Sequence, residues 1–460
     1  MTSSQTSATS RPFLPALLAA FFVLHVALAF WMPGAHTKFM LGDRADDRLA
    51  KIEAVINATD VNGALAVMIA QGSPGDYVLH VPAFAAFGPD GVMLQSILLY
   101  LAAIAALYLL VRTTFGERTA RLAAVIYTLL PATIFHPHAL VSEAVSNPLL
   151  IIACYAFAQV LRAPRPNWPW IAATGILIGI VVFTRHVFVL LPLLAAFLAW
   201  RFTEPENRRL PIAAAIAALG YSVAALWAII ALAGPVDVHP GASAGGLGAN
   251  LQARAERVAL IAGVAAPEPL IDAKRDGVER ATETITPQQF VAFVASHPIA
   301  YARSMLSDAV NILANPGMAM VAGRYFGLFD LQEKSEADLS RWRKIRDEHG
   351  LLAVATELWR TSAPALIINA FGVVAWGTLL LLALLGSVKA WRDPSVYRPV
   401  FVMLAGMFIY IIAFNSVVAG YTRWDHRSGV EFVIAIFAAY AITCGALRNT
   451  MHRLTRRATG

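Results

Sequence analysis

Apolar runs of about 17–25 residues, each long enough to cross a ~30 Å hydrocarbon core as a helix, recur along this chain from one end to the other. They lie near 12–32, 91–113, 119–135, 144–161, 168–184, 186–202, 210–233, 364–388, 399–419 and 430–447. The expected fold class is all-α, a polytopic membrane protein with about ten transmembrane helices. Composition agrees, since 58% of the 460 residues are hydrophobic and 14% charged, against roughly 45–50% apolar residues in soluble domains. The first run resembles a signal peptide, with Ala27-Leu28-Ala29 as a cleavage-like box, but it is long and only Arg11 precedes it, so it reads as a retained span.

The formal net charge of +7 raises the question of a nucleic-acid partner. The basic residues instead alternate with the spans. Every second connection is short and basic: Arg112, Arg118 and Arg121, then Arg162 and Arg165, then Arg201, Arg208 and Arg209, then Lys389, Arg392 and Arg398. Arg448, Arg453, Arg456 and Arg457 follow the last run. The positive-inside rule puts these connections and both termini in the cytoplasm of a cell with the chain in its inner membrane, and no nucleic acid is needed to explain the charge. The opposite, periplasmic side receives a first loop, 33–90, and a long segment, 235–363, with thirteen basic and fifteen acidic residues. A structureless loop of that length is unusual, so juxtamembrane helices are expected there. The chain thus divides into a transmembrane module over 1–234, the periplasmic segment 235–363, and C-terminal spans with a basic tail over 364–460. Cys154 and Cys444 both sit in apolar runs and read as small buried hydrophobes.

The residues able to carry chemistry gather at the periplasmic ends. The first loop opens Leu41-Gly42-Asp43-Arg44-Ala45-Asp46-Asp47-Arg48, and in a helix Asp43, Asp46 and Asp47 share a face. Such carboxylates suit proton abstraction; equally, Asp43 suits a helix cap with Asp46 in the first turn. Glu143 follows His136-Pro137-His138 where the fourth span begins, and a solvated acid at a helix N-terminus is its plainer reading. Two imidazoles without a third ligand are a thin basis for a metal, and placement at the headgroup level explains them. Arg185 lies between two spans with almost no loop to solvate it, which demands a partner, a cavity or snorkelling to the headgroups. The turn Tyr421-Thr422-Arg423-Trp424-Asp425-His426-Arg427 brings three cationic candidates to the same side, suited to an anionic group or to headgroup anchoring. No phosphate-loop pattern occurs, and the glycine-rich stretch 241–248 follows no strand, which argues against a soluble nucleotide-sugar donor.

The order of these features resembles the GT-C superfamily, in particular the bacterial relatives of the protein O-mannosyltransferases and of the lipid A aminoarabinose transferases, of the family 39 type. The resemblance rests on Gly42-Asp43 in the first loop, the Pro- and Gly-marked approach over 72–88, the basic hairpin from Val111 to Ala124, the segments Leu140 to Ala144 and Gly179 to Arg185, and the late arginine-bearing turn. It implies a GT-C-type fold and transfer of a sugar from a polyprenyl phosphate to a hydroxyl on a glycolipid, polysaccharide or protein, usually with inversion. Asp43 matches the family's catalytic first-loop carboxylate and would take the acceptor proton. Arg185, with Arg423 or Arg427 and with His426 beside them, would hold the lipid phosphate, and Glu143 would orient acceptor or sugar. The chain departs from the pattern at Asp47, where an aromatic residue is usual, and in having no proline between Arg427 and Glu431. The expected partners are membrane lipids, the lipid-linked sugar donor and a periplasmic acceptor; no cofactor beyond that donor is expected, and a divalent cation is not predicted.

Two other classes fit parts of the pattern. A polysaccharide polymerase or ligase also uses lipid-linked glycans and periplasmic arginines. A transporter or flippase fits less well, because no paired broken helices in two halves are evident.

Overall fold

The computed structural model describes residues 13–31, 45–58, 60, 63–64, 74–218, 240–268, 285–318, 336–418 and 424–444. Asp43 and Arg423 lie outside the described residues. Among those described the chain is helical, with no strand, as the apolar runs dictate. In order, the helices are α1 (Phe13–Trp31), α2 (Ala45–Ile56), α3 (Pro74–Phe115), α4 (Glu117–Thr128), α5 (Pro131–Phe135), α6 (Glu143–Arg162), α7 (Trp168–Thr184), α8 (Leu191–Phe202), α9 (Pro240–Ala262), α10 (Pro287–Ser296), α11 (Pro298–Ala314), α12 (Glu336–Arg392), α13 (Arg398–Val418) and α14 (Glu431–Thr443). A further helical stretch covers 209–218.

Among the described residues five helices are long and apolar enough to span, within α1, α3, α6, α12 and α13, and a sixth span is counted if the bent pair α4–α5 is one. This is fewer than the ten expected from the runs. The helices α7, α8 and α14 occupy three of those runs but are shorter, and the run 210–233 is described only to residue 218. Two breaks have local causes. In α3, Gly88 takes φ 63°, a left-handed conformation open to glycine, directly before Pro89, so the helix is two pieces joined by a kink. The run 119–135 is broken because Pro131 disfavours helical geometry at the residue before it; Leu130 is extended, and α5 departs at 60° from α4.

Side-chain ties sort the helix ends into two groups. At one end Glu117 accepts from Tyr108 at 2.6 Å and from Arg121 at 2.8 Å, while Arg121 lies 5.3 Å from the Phe13 ring. There Arg162 donates to Thr114 and covers the Tyr397 ring at 5.5 Å, Thr119 bonds Thr443 at 2.8 Å, and Lys389 donates to the Cys444 carbonyl at 2.9 Å. Asp393, in the turn between α12 and α13, accepts from Ser395 and Tyr440, which holds its carboxyl below the usual carboxylate range. The start of α1 and the basic connections therefore share one face. At the other end lie the turn His136–His138, the start of α6, the turn His186–Phe188, the turn Trp424–Val430 and the helical layer α9–α11.

That layer buries charge beside a small apolar cluster of Leu251, Ala255 and Ile285, and it turns an apolar stripe outward. Arg254 and Asp308 form a fully buried ion pair, joined by Arg257 and by Ser304. On the outside of α11, Ile299, Leu306 and Val310 are 70%, 68% and 54% exposed. Apolar surface turned outward around a charged interior fits an acyl environment.

Between α12 and α14 the backbones approach as small residues allow in membranes. A Cβ on Gly386 would run into the Phe437 carbonyl oxygen. Gly386→Ala must therefore separate the two helices, and a loss of about 1–3 kcal/mol is expected. Thermal unfolding of the purified variant checks this; a transition at the wild-type temperature would show that the approach is not tight.

Candidate active site

Glu143 opens α6, and Ser142 donates to its Oε2 at 3.2 Å. Arg185 follows the last residue of α7 in an extended conformation, before the chain turns into α8. The two meet across the bundle: Arg185 Nη2 lies 2.9 Å from Glu143 Oε1, with the side chains only 15% and 12% exposed. The guanidinium also stands 5.9 Å from the ring of the buried Phe188. Glu143 is thus ion-paired and largely withdrawn from solvent, which differs from a simple solvated helix start. Arg185 points into the bundle instead of snorkelling, and the carboxylate offsets what an isolated cation would cost there.

In the late turn, Trp424–Val430, residues 427–430 are also buried. Arg427 is fully buried; its Nε donates to Glu431 at 3.1 Å, and its Nη1 donates to the carbonyls of Ile312, at 2.5 Å, and Asn315. Its guanidinium lies 4.0 Å from the centre of the Trp376 ring, whose Nε1 donates to the Leu313 carbonyl at 2.5 Å. The last carbonyls of α11, which have no partner within the helix, are capped from the membrane spans, and the cation stands at the negative end of that helix. His426 contributes its backbone carbonyl to Asn415 Nδ2 at 3.1 Å.

The first-loop acids are placed less fully. The helix α2 begins at Ala45, so Asp46 and Asp47 occupy its first turn, while Asp43 lies outside the described residues. The helix is held by Leu49, Ile52 and Val55 against Val92 of α3 and Leu140, so the first turn of α2 is anchored to the same end of the bundle as Glu143.

The histidines differ from the expectation of headgroup-level placement. His136 and His138 are buried inside the protein. His138 bonds His25 of α1 at 2.7 Å with the rings stacked, and His136 lies 3.3 Å from Tyr100 Oη and 3.5 Å from Asn147 Nδ2. Asn147 in turn donates to Ser428 at 2.9 Å. The reason is the break before Pro131, which turns α5 and the histidines inward. Sequence reasoning passed over His25, Asn147 and Trp376; the available signal was a polar side chain inside an apolar run, as His25 and Asn147 are. Among the described residues no three His, Cys, Asp or Glu side chains assemble as metal ligands.

Residues 83–233 match the family model for dolichyl-phosphate-mannose-protein mannosyltransferase. The match covers about a third of the chain. It contains α4 to α8 and with them Glu143 and Arg185. The GT-C resemblance and the glycosyltransferase class expected from the sequence agree with this match. No curated protein matches the chain. Among solved structures, the Archaeoglobus fulgidus oligosaccharyltransferase in its apo form is 14% identical with a TM-score of 0.48, over 99% of this chain and 53% of its own. The same archaeal enzyme in complex with an inhibitory peptide and a dolichol-phosphate is 13% identical with a TM-score of 0.49, over 98% and 52%. The Cupriavidus metallidurans protein ArnT bound to undecaprenyl phosphate is 12% identical with a TM-score of 0.39, over 95% and 78%. The chain spans about half the length of the oligosaccharyltransferases it matches.

Proposed function

We propose that this chain is a membrane glycosyltransferase that moves a sugar from a polyprenyl-phosphate donor to a hydroxyl acceptor on the periplasmic side of the bacterial inner membrane. The observation that carries the reading is the Glu143–Arg185 pair, a withdrawn cation fixed by a carboxylate at the mouth of the bundle, inside the matched segment. In the proposed reaction the acceptor oxygen attacks the anomeric carbon as the bond to the phosphate oxygen breaks. Asp43 takes the acceptor proton, since an ordinary aspartate is ionised at neutral pH and needs no large shift to act as base. Arg185 binds the lipid phosphate and stabilises the charge that grows on it as it leaves. Glu143 fixes the guanidinium. Between Arg423 and Arg427, the second phosphate ligand is assigned to Arg423, because Arg427 is engaged with Glu431 and the carbonyls of Ile312 and Asn315.

Purified protein incubated with a polyprenyl-phosphate sugar and a panel of glycan, glycolipid and peptide hydroxyl acceptors tests the reading: released polyprenyl phosphate with a glycosylated product is expected, and neither transfer nor donor binding would end it. The orientation has its own test. Cysteines introduced into the segment 235–363 are expected to react with an impermeant reagent in intact cells, and those at 201–209 are not; the reverse pattern inverts the topology.

A further inference from the structure

The turn Trp424–Val430 bridges two parts of the molecule through its buried residues 427–430. On one side Arg427 caps the end of α11, in the helical layer, through Ile312 and Asn315. On the other side Ser428 accepts from Asn147 of α6, one helical turn after Glu143 and on the same face. Gly429 completes the bridge: a Cβ there would stand 3.3 Å from Asn147 Oδ1 and 3.4 Å from the Phe188 ring, the ring beside which Arg185 lies. The turn therefore lies behind both members of the Glu143–Arg185 pair, against Asn147 on α6 and against Phe188, whose ring is 5.9 Å from the guanidinium. Arg427, Ser428, Asn147 and Phe188 are all buried, so water does not take the place of a polar partner removed here.

We propose that Arg427, Ser428, Gly429 and Asn147 form a positioning junction that couples docking of the layer α9–α11 to the placement of Glu143 and Arg185. The proposal rests on the glycosyltransferase reading for its kinetic consequence only. When α11 is seated, its terminal carbonyls hold Arg427, the turn is fixed, and Ser428 and Gly429 set the positions of Asn147 and Phe188. When α11 is displaced, Arg427 parts from its acceptors and the turn is free to shift, taking the shelf under Arg185 with it. An acceptor that engages the layer thereby alters the grip on the donor without touching the phosphate.

The test uses the full chain in lipid nanodiscs. Hydrogen–deuterium exchange is compared for wild type, Arg427→Met, Arg427→Lys, Gly429→Ala and Ser428→Ala. Arg427→Met is expected to raise exchange both at the end of α11 and over 185–190, Arg427→Lys to restore part of the protection at both, and the milder Ser428→Ala and Gly429→Ala to raise it over 185–190. Faster exchange confined to α11 in Arg427→Met, with 185–190 unchanged in the two milder variants, overturns the junction. If Arg427→Met does not fold, the two milder variants decide alone. The kinetic arm separates this proposal from the enzyme reading: Ser428→Ala is expected to lower transfer about five- to tenfold in the wild-type background, as loss of one buried hydrogen bond does, but less than about twofold when Arg185 is already alanine. Equal effects in both backgrounds refute action through Arg185. Absence of transfer by wild type ends the enzyme reading, while the exchange data still judge the junction.

Discussion

Asp43→Asn is expected to abolish sugar transfer while leaving expression, membrane insertion and thermal stability at wild-type levels. Asparagine caps a helix about as well as aspartate, so if Asp43 only precedes α2 as a cap, the exchange costs about a few tenths of a kcal/mol and no turnover. A base is not replaced so easily, because a carboxamide has no useful proton affinity at neutral pH, and loss of a positioned base lowers rates by about 10²–10⁴. The same exchange at Asp46 and Asp47 belongs beside it, since both lie in the first turn of α2, a helix anchored by Leu49, Ile52 and Val55. Normal turnover in Asp43→Asn together with a dead Asp46→Asn or Asp47→Asn would move the base by one helical turn. If all three variants turn over normally, the base lies elsewhere, and Glu143 becomes the next residue to test.

Arg185→Ala is expected to lower donor use by about ten- to a hundredfold, the worth of one or two hydrogen bonds to a charged group. Stability has to be separated from catalysis here. Removing the guanidinium leaves Glu143 charged and largely withdrawn from solvent, and breaking such a pair on one side is costly in itself. The double variant Arg185→Ala/Glu143→Gln removes the orphaned charge. It should melt closer to wild type than Arg185→Ala alone, yet remain as poor in transfer. Recovery of activity in the double variant would mean that the pair is structural and that another cation holds the phosphate.

Much of the architecture is legible in the sequence because hydrocarbon imposes a length and a polarity that can be read residue by residue. The runs that become α1, α6 and α13 are found within a few residues. What is not legible depends on contacts distant in sequence. Leu129-Leu130-Pro131 lies in a run of spanning length, and the 60° bend shows where the apolar count and the backbone rule for proline disagree. The run 364–388 belongs to a helical stretch that begins at Glu336, well inside the segment expected to be a separate layer, and that continues past Gly350, which takes φ 80°, and past Pro364, the two residues a sequence reading takes as helix ends. At the site, Arg185 announces itself by being a charge with no loop to solvate it. Its partner Glu143 is distant in sequence, so only the meeting of α6 and α7 reveals the pair. Arg427 illustrates the opposite case. An arginine in a late turn reads as an anion ligand, whereas its bonds run to the α11 carbonyls, and no local pattern in either segment encodes that meeting.

The outward apolar stripe of α11 has a practical consequence for anyone dividing this chain into pieces. With Arg254 and Asp308 locked inside and Ile299, Leu306 and Val310 facing out, α11 carries an apolar stripe that meets buffer once the layer is cut from the spans. Cloned alone, it would expose leucine and isoleucine to its own copies, which favours self-association. Truncation studies and antibody campaigns that treat 235–363 as a soluble ectodomain would leave that stripe uncovered, and the proper carrier for this region is a lipid particle with the spans attached.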